Sequence, residues 1–118
     1  EAGQRDALPP GVEGFRITGP FFFGVAADLV ETLRRMGQPP RIVILRMREV
    51  PLLDASGVEG IKDFVSMAHR NGAEVIFSNV QPLPAQVLRR NGLGPRSGKV
   101  RFAPDYAAAL AMAALPEV

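Results

Sequence analysis

The 118-residue chain has no cysteine and no tryptophan, a single tyrosine (Tyr106) and a single histidine (His69). Without cysteine there is neither a disulfide framework nor a thiolate metal site, and the composition suits a reducing compartment. One histidine excludes His-rich metal centres and most catalytic triads, and its place beside Arg70 near a helix end reads as structural. The sparse aromatics leave no RNA-stacking motif. No apolar run approaches the ~20 residues of a membrane helix, since the longest candidate, Ala107 to Leu115, is short and alanine-rich. No signal peptide opens the sequence. A Gly-rich phosphate loop ending in Lys-Ser/Thr is also missing. Fourteen cationic residues face 12 acidic ones, a surplus of only +2. That balance makes no case for nucleic acid as a partner.

What is present is a 47% apolar content, enough for one core in one domain. The chain opens Glu1-Ala-Gly-Gln-Arg5 without an initiator Met and reads as a piece of something longer. Residues 1–11, polar and carrying Pro9-Pro10, are expected to be a linker or tail, and residues 12–118 the domain. Val12 to Thr18 alternates apolar and polar as a half-buried strand does. Phe21-Phe22-Phe23 is a second short extended run, and Val25 to Met36 has helical spacing with Gly37 as its stop. Ile42 to Met47 is continuously apolar, the mark of a strand buried on both faces. After Ser56 comes a helix with Val58, Ile61, Phe64, Val65 and Ala68 inward, ending at Asn71-Gly72. Glu74 to Ser78 is a buried strand, Ala85 to Arg90 a short helix, and Val100 to Phe102 a short strand. Pro104-Asp105 starts the last helix. Strands alternate with helices, so the sheet should be mostly parallel: about four or five strands, with an edge strand from the N-terminus, wrapped by about four helices.

Three constellations carry chemistry. Asp54-Ala55-Ser56-Gly57 joins a strand to a helix, where backbone N–H groups and the helix dipole favour an anion or a phosphorylated serine. Asp54 reads as the acceptor in an Asx-type turn, and Ser56-Gly57-Val58-Glu59 fits a capping box with Ser56 as the cap. Phe21, Phe22 and Phe23 cannot all face one side of a strand, so Phe22 should point away from the other two and offer a docking surface. Arg89, Arg90, Arg96, Lys99 and Arg101 form a basic stretch with no acid between them, suited to an acidic protein, a lipid headgroup or a nucleotide. No residue set reads as a metal site, a cofactor site or a catalytic group set.

Three segments together resemble the STAS domain, shared by sulfate transporters and anti-sigma-factor antagonists. They are Ile17-Thr-Gly-Pro-Phe-Phe-Phe-Gly24, Arg41 through Val58, and Gly72-Ala-Glu-Val-Ile-Phe-Ser-Asn-Val-Gln-Pro82 followed by a helix ending Arg-Arg-Asn-Gly-Leu93. The resemblance covers about Val12 to Leu115. The Gly19–Gly24 segment and the Val80-Gln81-Pro82 turn look more like the SulP anion transporters than the stand-alone antagonists.

The resemblance implies an α/β fold and a non-catalytic regulatory domain at the cytoplasmic face of a bacterial inner membrane. The membrane part of the same polypeptide would be its partner, and the transported anion would belong to the sulfate, bicarbonate or dicarboxylate class. Ser56 matches the serine that antagonists phosphorylate, while Ala55 departs from the Ser-Ser of many antagonists. Bacterial SulP domains add acyl carrier protein as a candidate acidic partner of the basic stretch. The alternatives are a free-standing anti-sigma-factor antagonist controlled by a kinase and a small nucleotide-binding domain.

Overall fold

A computed structural model describes residues 8–114. In chain order the elements are strand β1 (Val12–Thr18), helix α1 (Phe23–Arg34), β2 (Ile42–Glu49), α2 (Ala55–Arg70), β3 (Glu74–Ser78), α3 (Pro82–Arg90), β4 (Arg101–Ala103) and α4 (Tyr106–Ala114). The strands make one sheet in the order β1-β2-β3-β4, and every neighbouring pair is parallel. The expected α/β class and its number of strands and helices are therefore found, and β1 is an edge strand.

A right-handed crossover repeated in one direction sets every intervening helix on the same face of the sheet. The core follows this rule. Leu29 and Leu33 of α1, Ile61 and Phe64 of α2, and Leu88 of α3 share one buried cluster with the strands. Side-chain alternation supplies the strand half of it: Val43, Leu45 and Met47 of β2 and Val75 and Phe77 of β3 point to this side. The Phe77 and Phe102 rings meet across β3 and β4 at 5.3 Å and 57°.

The opposite face belongs to α4. Ile42, Ile44, Ile76 and Ala103 pack against Ala109 and Ala113, with Tyr106 and Leu110 at the margins. Alanine lets this helix lie close to the sheet. Asp105 starts it, its Oδ1 accepting from the Ala108 N–H at 2.7 Å. The Arg46 guanidinium stacks 3.8 Å from the centroid of the Tyr106 ring at one end. At the other end Arg41 Nη2 donates to the Ala113 carbonyl at 3.0 Å. Two arginines of one strand region thus hold both ends of α4.

Several boundaries differ from the expected ones for local reasons. Phe21-Phe22-Phe23 is not a strand. Phe21 alone pairs, in an isolated bridge to Leu53, and Phe23 already opens α1. The first turn of a helix needs no intrahelical N–H, so α3 begins at Pro82 and accommodates Pro84, earlier than the apolar spacing indicates. Strand β2 runs on to Glu49 through a bulge: β1 advances from Arg16 to Thr18 while its partner advances from Arg46 to Glu49.

The thin alanine layer on the α4 face generates one test. Ala109→Leu forces a larger side chain between α4 and the sheet and should destabilise by about 1–3 kcal/mol. A urea denaturation midpoint that does not move would show that α4 has room to shift.

Candidate functional site

All four strands point the same way, so the loops leaving their C-terminal ends gather on one rim, where open α/β sheets commonly bind ligands. The Asp54–Gly57 junction lies on this rim. Asp54 Oδ1 accepts from the Gly57 N–H at 2.7 Å and from the Ser56 hydroxyl at 2.9 Å. Asp54, not Ser56, is therefore the N-cap, and the expected Ser56–Glu59 capping box is not formed. Ser56 already sits inside the helix, and Glu59 turns to Lys62 at 3.4 Å. The physical reason is that an ionised carboxylate makes the stronger, charge-assisted bond to a helix N–H and also meets the positive end of the dipole. Ala55 and Ser56 are exposed, while Asp54 is partly covered.

Gly57 has a separate role. A Cβ there would land on the Phe21 carbonyl oxygen and against the Leu53 side chain. The first turn of α2 consequently presses on the backbone of the β1–α1 loop. That loop is fixed in turn by the Phe21 N–H, which donates to the Leu52 carbonyl at 2.9 Å. Further side-chain links tie the rim together. Gln81 Nε2 donates to the Arg48 carbonyl at 2.9 Å, joining the end of β2 to the start of α3. Asn79, at φ 55°, donates from Nδ2 to the Pro104 carbonyl at 3.0 Å, joining the β3–α3 loop to the β4–α4 loop.

The apolar side chains on the rim divide. Phe21 is wholly buried and Phe22 is 46% exposed, so the two face apart as alternation requires; the Phe23 side chain lies outside the described residues. Leu52 is 47% and Leu83 64% exposed. These three are the exposed large hydrophobic residues among the described ones. Each lies in or beside a different strand-to-helix connection: Phe22 before α1, Leu52 before α2, Leu83 in the first turn of α3.

The basic stretch does not stay together. Arg89 and Arg96 line one open cavity of about 520 Å³ with Gly92, Gly94, Pro95 and Ser97. Arg90 and Lys99 are exposed. Arg101 leaves the group, because β4 carries it beside β3 and Nη2 pairs with Glu74 Oε1 at 2.9 Å. The acid absent from the linear stretch is supplied by a strand 27 residues earlier.

The family model for the STAS domain matches residues 8–109. The chain is a STAS domain. Among solved structures, this STAS domain is similar to a sulfate transporter family protein from Wolinella succinogenes. The identity is 35%, the TM-score 0.83, and the match covers 93% of this chain and 90% of that one. It is also similar to the STAS domain of a SulP transporter from Vibrio cholerae, at 26% identity, TM-score 0.80 and coverage of 94% and 88%. YvdB of Bacillus subtilis (strain 168), named for sulfate transport, is 28% identical over 94 residues. Those residues are 79% of this chain and 18% of that protein, so the STAS domain spans less than a fifth of the curated relative it matches. Among the described residues no helix is long and apolar enough to cross a membrane.

Sequence reasoning singled out Phe22, which is exposed as expected, and did not single out the equally exposed Leu52 and Leu83. Leu52-Leu53 does carry a signal: in an extended segment adjacent side chains oppose one another, and Leu53 is the buried one. Leu83 was hidden between two prolines, in a stretch that reads as loop.

Two single substitutions test the cap. Asp54→Ala should cost about 0.5–2 kcal/mol, the usual loss on removing an N-cap. Ser56→Ala, at an exposed position inside the helix, should stay within about 0.5 kcal/mol. Denaturant midpoints in the reverse order would restore Ser56 as the cap.

Proposed function

We propose that this STAS domain is a non-catalytic regulatory and interaction domain of a SulP-type secondary anion transporter, carried at the cytoplasmic face of a bacterial inner membrane. The observation that carries the reading is the rim. Phe22, Leu52 and Leu83 come from three different connections and share one end of the sheet, around a capped helix start. Single exposed apolar residues are ordinary on a protein surface, whereas a set gathered on one side reads as an interface. The partner best suited to it is the membrane part of the same polypeptide. The small share of YvdB that the match covers and the transporter names of the relatives support that choice. The mechanism is mechanical: the rim docks, and docking favours one conformation of the transport domain by the difference in contact free energy between its states. The transported anion, of the sulfate, bicarbonate or dicarboxylate class, is selected in the membrane part. The Arg89 and Arg96 cavity is a secondary contact for an acidic protein such as acyl carrier protein, in a salt-dependent manner.

One observation favours a second reading, that of a partner-switch protein controlled by phosphorylation. Ser56 is exposed and its hydroxyl points at Asp54. A phosphoryl group there would bring about −1.5 to −2 charges against the capping carboxylate and replace a hydrogen bond with repulsion. Finding a membrane-spanning segment upstream of Glu1 in the same reading frame would exclude the free-standing form of this reading and leave the switch available to the transporter.

The triple substitution Phe22→Ser, Leu52→Ser and Leu83→Ser should leave the thermal midpoint of the isolated domain within a few degrees, because none of the three side chains belongs to the buried core. In the full-length protein it should reduce anion uptake several-fold at unchanged expression. Uptake equal to wild type would remove the rim from the mechanism.

A further inference from the structure

The sheet divides the buried apolar residues into two sets of unequal size. The larger set is shared with α1, α2 and α3, and the smaller lies beneath α4. One helix of nine residues closes the smaller set, and of those residues Ala109 and Ala113 are the buried ones. By contrast α2 inserts Val58, Ile61, Phe64 and Val65 into the larger set. Hydrophobic attachment scales with the apolar area removed from water, and two alanines supply little of it.

Helix α4 also has little to hold it together on its own. An isolated helix shorter than ~12–15 residues is marginal in water. Tyr106 to Ala114 contains no charged residue, so α4 has no ion pair along its length and no cation in its last turn. What fixes it is placed at its two ends. The Asp105 cap and the Arg46–Tyr106 stack hold the start, and the Arg41 bond to the Ala113 carbonyl holds the finish.

The covered face carries a polar cost as well. Arg46 and Ser78 are register partners in one row of the sheet. Arg46 meets Tyr106 on the α4 side, and Ser78, two residues after Ile76, faces the same way. Arg46 Nη1 and the Ser78 hydroxyl are out of solvent and have no hydrogen-bond partner among the described residues. Groups left so oppose the closed arrangement, and they regain water once the cover is lifted.

We propose that α4 is a latch that lifts from the sheet as one unit while the four strands and the other three helices stay folded. Lifting bares Ile42, Ile44 and Ile76. The larger core is not opened, because the sheet lies between it and α4. The domain then has two folded states that differ in one apolar face, and a regulator that prefers either one shifts the balance between them. The latch lies on a face of the sheet and does not depend on what the rim docks to.

Native-state hydrogen exchange of the unmodified chain, at increasing urea below the unfolding transition, tests the latch. The amides from Ala109 to Ala114 should share one opening constant, about 100-fold or more above that of the Phe64 to Ala68 amides of α2. Their exchange should depend little on urea, whereas the α2 amides should show the steep dependence of global unfolding. Ile61→Val, in the larger core, should speed exchange in α2 about three- to tenfold. It should leave α4 within about twofold, because the closed and lifted states carry that loss equally. A second readout is alkylation by iodoacetamide. Ala103→Cys, in the sheet beneath α4, should react at the pace of α4 opening, and Ala68→Cys only on global unfolding. Equal opening constants and urea slopes in α4 and α2 would overturn the proposal, as would Ile61→Val speeding both alike. Rates that climb stepwise toward Ala114, with Ala109 as slow as α2, would mark a fraying chain end and overturn it too. Ala103→Cys as slow as Ala68→Cys would show that the sheet face is never bared.

Discussion

The handedness of the crossover is the constraint on which the structure depends. Four parallel strands in chain order, joined by crossovers of one hand, place α1, α2 and α3 on one face. The other face is left to whatever follows β4. That face is closed by one short helix made mostly of alanine, so its apolar layer is thin. The same parallel arrangement sends every strand-to-helix loop to one rim. The exposed rim and the place of Arg46 and Ser78 both follow from it: the first is where the connections gather, and the second is where the single covering helix begins.

Asymmetry between the two faces also assigns roles to residues that look alike in the sequence. Arg41, Arg46 and Arg48 belong to one strand region and do three different things. Arg41 holds the C-terminal end of α4, Arg46 lies on the ring that opens α4, and Arg48 lines a cavity at the bulge and gives its carbonyl to Gln81. The Gln81 bond links that bulge to the first turn of α3, where Leu83 stands exposed. One hydrogen bond thus ties the bulge in β2 to the rim.

Much of this was legible in the sequence, and the reasons are physical. The strand Glu74–Ser78 and the inward set of α2 follow from continuous apolar residues and from helical spacing, signals that burial on both faces makes strong. The junction is legible because Asp, Ser and Gly occur together where an apolar run stops. What could not be read is tertiary. Asp54 and Ser56 both fit a cap, and only the position of the first helical turn, set by the close approach of Gly57 to Phe21, decides between them. Arg101 reads as a member of a basic stretch until the β3–β4 register brings Glu74 beside it. The Arg46–Ser78 row is separated by 32 residues in the chain, and strand pairing alone unites it.

The central claim is that the rim bearing Phe22, Leu52 and Leu83 is covered in the complete protein. The cysteine-free sequence of this domain makes a direct measurement available. Phe22→Cys, Leu52→Cys and Leu83→Cys, each introduced singly, can be labelled with a water-soluble maleimide in the isolated domain and in the full-length protein, on a background in which the remainder of the chain carries no reactive thiol. Rapid labelling in the isolated domain and slow labelling in the full-length protein at all three positions, with Gln86→Cys on α3 equally reactive in both, is the result the account predicts. Equal rates in the two forms at all three positions would contradict it.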